Sequence, residues 1–467
     1  MPASWKPLAA LAADVRHRRV SSRELVADAL ARIDRVDPHL HAFVALDGER
    51  ALAEADAVDA RVARGEDPGP LAGVPLGVKD MEDAMGWRTT YGSLLYREPA
   101  AATKDSVLVA RLRAAGCVVL GKLNTPDHGF SADTTNALFG HTHNPWQPGR
   151  TPGGSSGACA AALVSGMIPL ATAGDSGGSI RIPAAISGLP AFKPSNGRVP
   201  VGGPTPPGNG WLGVRSIMAR TVADTVYALT TIVGHDPTDL ISLPDPVPAW
   251  PTVLDGALPT RVVWAPAPGW PVDGEVAAVL RAAVDRIAAQ GVDVVEVDRL
   301  VRGVPLGDYY TLATVYMQRL HGHRRGTDEW DLLDPGIRSQ IDHADTRVTA
   351  ADFARAQDAA HLHHHDLARL FSEQAPLLLC PTVAGQAGRC GEFGTVDGEP
   401  TLFAAPFTQI FNLTRHPAGS VPCGFTADGM PVGLQVVGPS LHDLAVLRAM
   451  AALEALFAHD RVPAVHV

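Results

Sequence analysis

Cysteine is scarce in this chain of 467 residues: Cys117, Cys159, Cys380, Cys390 and Cys423 form an odd set of five, widely spaced, with no Cys-x-x-Cys pair. That usage excludes a disulfide scaffold and implies a reducing compartment, so a cytoplasmic location is expected. Long apolar runs are lacking too. The longest, Ala158 to Gly174, falls short of the ~20 residues of a bilayer span and is broken by Ser165, Gly166 and Pro169, so it reads as a buried helix followed by a buried strand. The N-terminal apolar stretch is too short for a signal sequence and is followed, not preceded, by positive charge. Basic residues are outnumbered, 39 Lys and Arg against 49 Asp and Glu, for a net charge of -10. Binding to nucleic acid or an anionic membrane needs clustered cations, so small neutral ligands fit this balance better. Internal repeats and low-complexity tracts are absent.

What remains is an ordinary globular composition, 46% hydrophobic and 19% charged, able to offset the entropy of ordering the chain. Residues 1–70 read as a helical region, with Ser21-Ser22-Arg23-Glu24 as a capping box at a helix start. From Gly73 short apolar runs alternate with Ala-rich helical stretches, an α/β texture: 74–78, 117–121 and 167–174 read as strands. Residues 199–210 are too rich in Pro and Gly for regular structure and are expected as a loop near the site. Beyond it, 260–266, 275–291 and 292–297 form a β-α-β unit, 300–375 are helical, and 377–383 and 430–438 are late strands. We expect a single domain over 1–467, with a catalytic core at 73–220 and a helical substrate-side region at 300–375.

Two glycine–serine clusters dominate, Gly153–Gly157 and Gly174–Ser179. A nucleophilic serine needs backbone N–H groups about 3 Å from the developing oxyanion, and glycines allow that approach. Either cluster alone could equally be a structural turn. Gly-Asp-Ser-Gly-Gly at 174–178 would nominate Ser176 by analogy with secreted proteases, against the α/β texture and cysteine usage. Gly-x-Ser-x-Gly around Ser155 or Ser176 would nominate a nucleophile elbow, but only Ser176 follows a strand-like run.

A third reading takes both clusters together with an upstream lysine. Gly153-Gly154-Ser155-Ser156-Gly157, then Asp175-Ser176-Gly177-Gly178-Ser179-Ile180-Arg181-Ile182-Pro183, preceded by Gly73-Val74-Pro75-Leu76-Gly77-Val78-Lys79-Asp80, resembles the amidase-signature family. The resemblance extends through Gly121-Lys122-Leu123-Asn124, Lys193-Pro194, Asn412-Leu413-Thr414, Pro417-Ala418 and Pro431–Gln435, most of the chain. It implies an α/β fold, a central twisted mixed β-sheet covered by α-helices, and an amidase needing no metal or cofactor. Ser179 would be the nucleophile, Ser155 a bridging serine after a cis peptide, Lys79 the general base, and the N–H groups of Ser176, Gly177, Gly178 and Ser179 the oxyanion hole, with Ser156 adding a polar contact. By analogy with the family's funnel, Asp127, Phe130, Trp211, Tyr309, Phe407, Ile410 and Phe411 are expected at the substrate, and His128 lies in the same loop as Asp127. The expected partner is a small neutral amide with an aryl or apolar acyl group; esters, carbamates and hydrazides are compatible, as is a homodimer. The family also includes glutaminase-type subunits of tRNA-dependent amidotransferases, the alternative function. Those usually carry Ser-Ser-Leu-Asp-Gln after the nucleophile region, where this chain reads PTPPGNGWLGVRSIMART (204–221). Further departures are Ala158, Pro190, Asn196 and Arg415.

Two other features have plainer readings. Gly116 to Lys122 nearly fits a phosphate loop but has Leu123 where a magnesium-binding hydroxyl is needed. His361, His363, His364 and His365 have spacing that can share a metal, yet no second ligand motif accompanies them, so a solvated helix face is expected.

Overall fold

The computed structural model describes residues 5–244, 250, 254–392, 394–401 and 405–466. Before the first core strand come helices α1 (Leu8–Arg16), α2 (Ser22–Leu40) and α3 (Gly48–Ala63), with strand β1 (Phe43–Leu46) between the last two. The capping box at α2 is formed: Ser21 accepts from the Glu24 N–H while Glu24 accepts from the Ser21 N–H. The N-terminal region is thus helical apart from β1, and residues 1–4 of it lie outside those described. Phe43-Val44 follow a left-handed His41 that ends α2, and the released chain pairs antiparallel along β3.

The first sheet contains β2 (Pro75–Lys79), β3 (Val118–Leu123), β6 (Leu170–Asp175) and β8 (Val214–Ala219) in the order β1-β3-β2-β6-β8. The chain reaches it through α4 (Val107–Ala114), a small hairpin of β4 (Thr135–Asn136) and β5 (Gly140–His141), and α5 (Gly157–Val164). β2, β3 and β6 run parallel and are buried along their whole length, which is why they read as continuous apolar runs rather than alternating ones. After α6 (Arg181–Ser187), β7 (Ala191–Lys193) begins a second sheet, which continues past α7 (Val222–Leu229) with β9 (Arg261–Trp264), α8 (Gly274–Ala288) and β10 (Asp293–Glu296). Helices α9 (Pro305–His321), α10 (Pro335–Arg347) and α11 (Ala350–Glu373) fill the expected helical region, followed by β11 (Leu378–Pro381), a hairpin of β12 (Gly394–Val396) and β13 (Glu399–Thr401), α12 (Gln409–Leu413), β14 (Ala418–Phe425), β15 (Pro431–Val437) and α13 (Asp443–Leu456). The second sheet has the order β10-β9-β11-β15-β14-β7, with β9 and β10 parallel across α8. The mixed sheet is therefore two hydrogen-bonded ladders, bridged where the Ser216 hydroxyl of β8 donates to the Phe192 carbonyl of β7 at 3.5 Å.

This topology places the motif residues. Lys79 ends β2 and Asp175 ends the adjacent parallel strand β6, while Ser155 and Ser156 directly precede α5. The site thus lies at the carboxyl ends of parallel strands, where open α/β sheets bind ligands. Helix α5 is almost all alanine over 158–162, fully buried, and packs against β2, β6, β8 and α6. No described helix is long and apolar enough to cross a membrane.

Candidate active site

The Lys79 ammonium is 2% exposed and donates to the Ser155 hydroxyl at 2.7 Å and to the Ser156 hydroxyl at 3.0 Å. Its backbone is fixed by donation from its N–H to the Thr172 hydroxyl of β6 at 2.8 Å. Its pKa is lowered to about 8, chiefly by burial, with the Arg215 charge acting the same way and Cys159, Glu82 and Asp175 opposing. The Gly154-Ser155 peptide is cis. Ser156 ties the two serine segments together: its N–H donates to the Ser179 carbonyl at 3.2 Å. Ser179 is partly exposed, and among the described residues its hydroxyl has no hydrogen-bond partner.

A buried ionic network shapes the loop that carries Ser179. Arg181 donates to both carboxylate oxygens of Asp175 at 2.9 and 2.8 Å, and also to Asn412 Oδ1 (2.6 Å), Gln435 Oε1 (2.8 Å) and the Thr408 carbonyl (2.9 Å). Asn412 in turn donates to the Asp175 carbonyl and carboxylate, each at 2.9 Å. Burial pushes the Asp175 carboxyl up, but the Arg181 charge and hydrogen bonds outweigh it and hold the group at about 2. This carboxylate also takes the N–H of Gly178 at 2.7 Å and of Ile180 at 3.2 Å. Gly178 is engaged with Asp175, whereas the N–H groups of Gly177 and Ser179 meet no acceptor among the described residues. Gly178 has φ 126°, and a side chain there would collide with Thr408; one at Gly177 would collide with the Tyr309 hydroxyl.

Beside the serine loop lies a cavity of about 910 Å³ lined by Ser176, Arg215, residues 201–210, and an aromatic group of Tyr91, Tyr96, His128 and His321. Met81, in its wall, also packs at Gly129, next to the Ser155 hydroxyl. Tyr91 stacks on His128 (centroids 5.7 Å apart, planes 4° apart), and His321 meets His128 edge-on at 4.3 Å. Burial, with neighbouring His128 next, lowers the His321 imidazole to about 3, so His321 enters the cavity as a neutral ring. Arg215 is anchored through Nε to Glu82 at 2.7 Å.

The expected substrate residues fare differently. The loop at 199–210 does line the cavity, as does His128, while Tyr309 touches Gly177. The others do not line it. Both Asp127 oxygens are occupied, one by His128 and one by the Asp334 N–H at 3.0 Å, so this carboxylate holds a loop to the start of α10. Phe130 packs with Met317 and Ile337 beneath α10, and Ile410 and Phe411 belong to the core around β11. Phe407 is buried, its carbonyl accepting from Gln435 at 3.2 Å. Trp211 lines a different cavity. Sequence reasoning missed Tyr91, Tyr96, His321, Met81 and Arg215, which come from irregular loops, a helix end and a strand; the left-handed φ of Tyr91 (55°) and His128 (50°) leaves no periodic trace.

Lys122 is structural, donating to the Glu82 carbonyl at 2.7 Å and paired with Asp80 at 3.2 Å. The histidine run is not the solvated helix face expected: His363 is buried and pairs with Asp308 of α9 at 2.8 Å, His364 is half-buried and bonds the Thr414 carbonyl at 2.9 Å, and His361 and His365 are exposed, because α11 packs one face against α9. Among the described residues no group of three His, Cys, Asp or Glu side chains is placed to hold a metal. All five cysteines are unpaired.

Residues 24–447 match the Amidase family model. The glutamyl-tRNA(Gln) amidotransferase A subunit of Salinispora arenicola (strain CNS-205) is 37% identical, with 96% of each chain covered, and that of Synechococcus sp. (strain RCC307) is 34% identical, with 95% of each covered. Among solved structures, a bacterial aryl acylamidase superposes with a TM-score of 0.89 at 29% identity, covering 98% of this chain and 97% of its own, and 6-aminohexanoate cyclic dimer hydrolase with 0.87 at 30%, covering 98% of both. The chain belongs to the amidase-signature family of hydrolases.

Proposed function

We propose that this chain hydrolyses a small neutral amide through an acyl-enzyme on Ser179, with Ser155 as proton bridge and Lys79 as general base. The observation that carries the reading is the 2.7 Å hydrogen bond between Lys79 and Ser155 in a site dry enough to bring the lysine to about 8. A neutral Lys79 takes the Ser155 proton as Ser155 takes that of Ser179, whose oxygen attacks the amide carbon. The oxyanion sits on the N–H groups of Gly177 and Ser179, with Ser176 the next candidate. The proton returns along the same path to the leaving nitrogen, the C–N bond breaks, and water then hydrolyses the ester to release the acid. The aromatic and methionine wall of the cavity favours an aryl or apolar acyl group, and ester, carbamate or hydrazide carbonyls suit the same chemistry. A fluorophosphonate should label Ser179, mapped by fragment ions within the tryptic peptide 151–181, which also contains Ser155 and Ser176. An adduct on Ser176 or Ser155 refutes the assignment.

A second reading is supported by the 34–37% identity to amidotransferase A subunits over nearly the whole chain. Against it stands the proline-rich loop where those proteins usually carry Ser-Ser-Leu-Asp-Gln. Turnover of aryl amides by the isolated chain supports the first reading; glutaminase activity appearing only with a co-purifying partner supports the second.

A further inference from the structure

Gly210 and Gly213 line the cavity beside the serine loop, but Trp211 between them lines a second one of about 550 Å³. Its walls combine Trp211 and Ile241 with Gln357, His361 and His364 of α11, and with Arg415. Two departures from the family pattern meet here, because the Asn196 amide donates to the carbonyl of Trp211 at 2.6 Å, and Trp211 lines the cavity together with Arg415.

Arg415 is partly buried, and among the described residues its guanidinium has neither a hydrogen bond nor a carboxylate partner. Arg181, Arg198 and Arg215 by contrast each pair with an acid. Among the described residues, none that lines this cavity is acidic. Arg415 stands at φ 67°, a conformation that favours glycine, so a bulky cation is held where the backbone would accept no side chain more readily. A guanidinium turned partly from water with its donors unused is matched by a carboxylate, which takes two of them in parallel.

We propose that this cavity is a binding site for a small carboxylate with an apolar or aromatic body, the carboxylate on Arg415 and the body against Trp211 and Ile241. The site is separate from the serine chemistry and does not depend on it. Benzoate titrated calorimetrically onto the full chain should bind saturably, with a Kd tighter than about 1 mM. Arg415→Gln should weaken it by about tenfold or more, as loss of a charged hydrogen-bond partner does. Arg415→Lys, which keeps the charge but not the fork, should fall between and remains informative if the Gln variant fails to fold. Binding should survive fluorophosphonate modification of the serine site. Equal affinity in wild type and Arg415→Gln, no saturation, loss of binding on modification, or tighter binding of inorganic phosphate than of benzoate would each overturn the proposal.

Discussion

Replacing Lys79 with methionine should separate activity from stability in opposite directions. The side chain is 2% exposed, and its pKa falls from 10.5 to about 8, chiefly through burial. A lysine whose folded pKa is depressed binds its proton more tightly when unfolded, so stability rises with pH between about 8 and 10.5 and the full cost is present below 8. At roughly 1.4 kcal/mol per pKa unit the cost is about 3 kcal/mol at neutral pH. Methionine removes that cost but forfeits the hydrogen bonds to Ser155 and Ser156, each worth about 1 kcal/mol. Lys79→Met should therefore be about 1 kcal/mol more stable than wild type in urea at pH 7, with the difference reversing toward pH 10.5 as the wild type gains stability. Activity should move the other way: wild-type turnover should climb about tenfold per pH unit below an apparent pKa near 8, and the variant should lose both that limb and most turnover. An acid limb unchanged in an active Lys79→Met enzyme, or a stability difference independent of pH, refutes the assignment of a buried basic lysine.

Ser179→Ala should fail to take the fluorophosphonate and lose on the order of 10³-fold or more in turnover, while Ser155→Ala should be slow but folded, checked by labelling and circular dichroism. Asp175→Asn breaks a fully buried pair with Arg181 and should cost about 3–5 kcal/mol in urea unfolding. Because the Asp175 pKa is held at about 2 against 3.8, its stabilisation is present above 3.8 and lost as pH falls toward 2, so wild type and variant should converge there. Chelation should leave amidase turnover unchanged; loss restored by zinc would reopen the histidine run at 361–365 as a metal site.

The fold was legible where burial alone decides the pattern. β2, β3 and β6 are buried throughout and apolar except near the ends that carry Lys79, Lys122 and Asp175 and at Thr172, because both faces are covered, and α8 between β9 and β10 shows one apolar stripe ending near a glycine. β1 was not legible, since four half-exposed residues between two helices carry no such pattern. Lys79 and Ser155 were legible because their chemistry depends on residue type at strand and helix ends. The cavity was not, because an aromatic residue reads alike in a core and in a pocket: Phe130 and Phe411 went to the first, Tyr91 and Tyr96 to the second.

The same limit applies to the proposed oxyanion donors, where the sequence offers four consecutive N–H groups and the structure engages that of Gly178 elsewhere. Gly178 looked equivalent to Gly177 as a glycine in a serine-rich turn, yet its N–H closes a ring onto the Asp175 carboxylate three residues back. Against the burial that pushes that carboxyl up, Arg181 is the main influence holding its pKa down, and Arg181 is held in place by Asn412 and Gln435, more than two hundred residues later in the chain. The late motifs around Asn412 and Gln435 thus acquire a physical meaning that their position in the sequence hides: they aim Arg181, Arg181 sets the charge of Asp175, and Asp175 sets the turn that presents Ser179. Removing Asn412 should accordingly lower turnover without touching Lys79 or either serine, and its effect should not add to that of Asp175→Asn, since both act through one network. Additive losses in the double variant would mean that Asn412 reaches the site by another path.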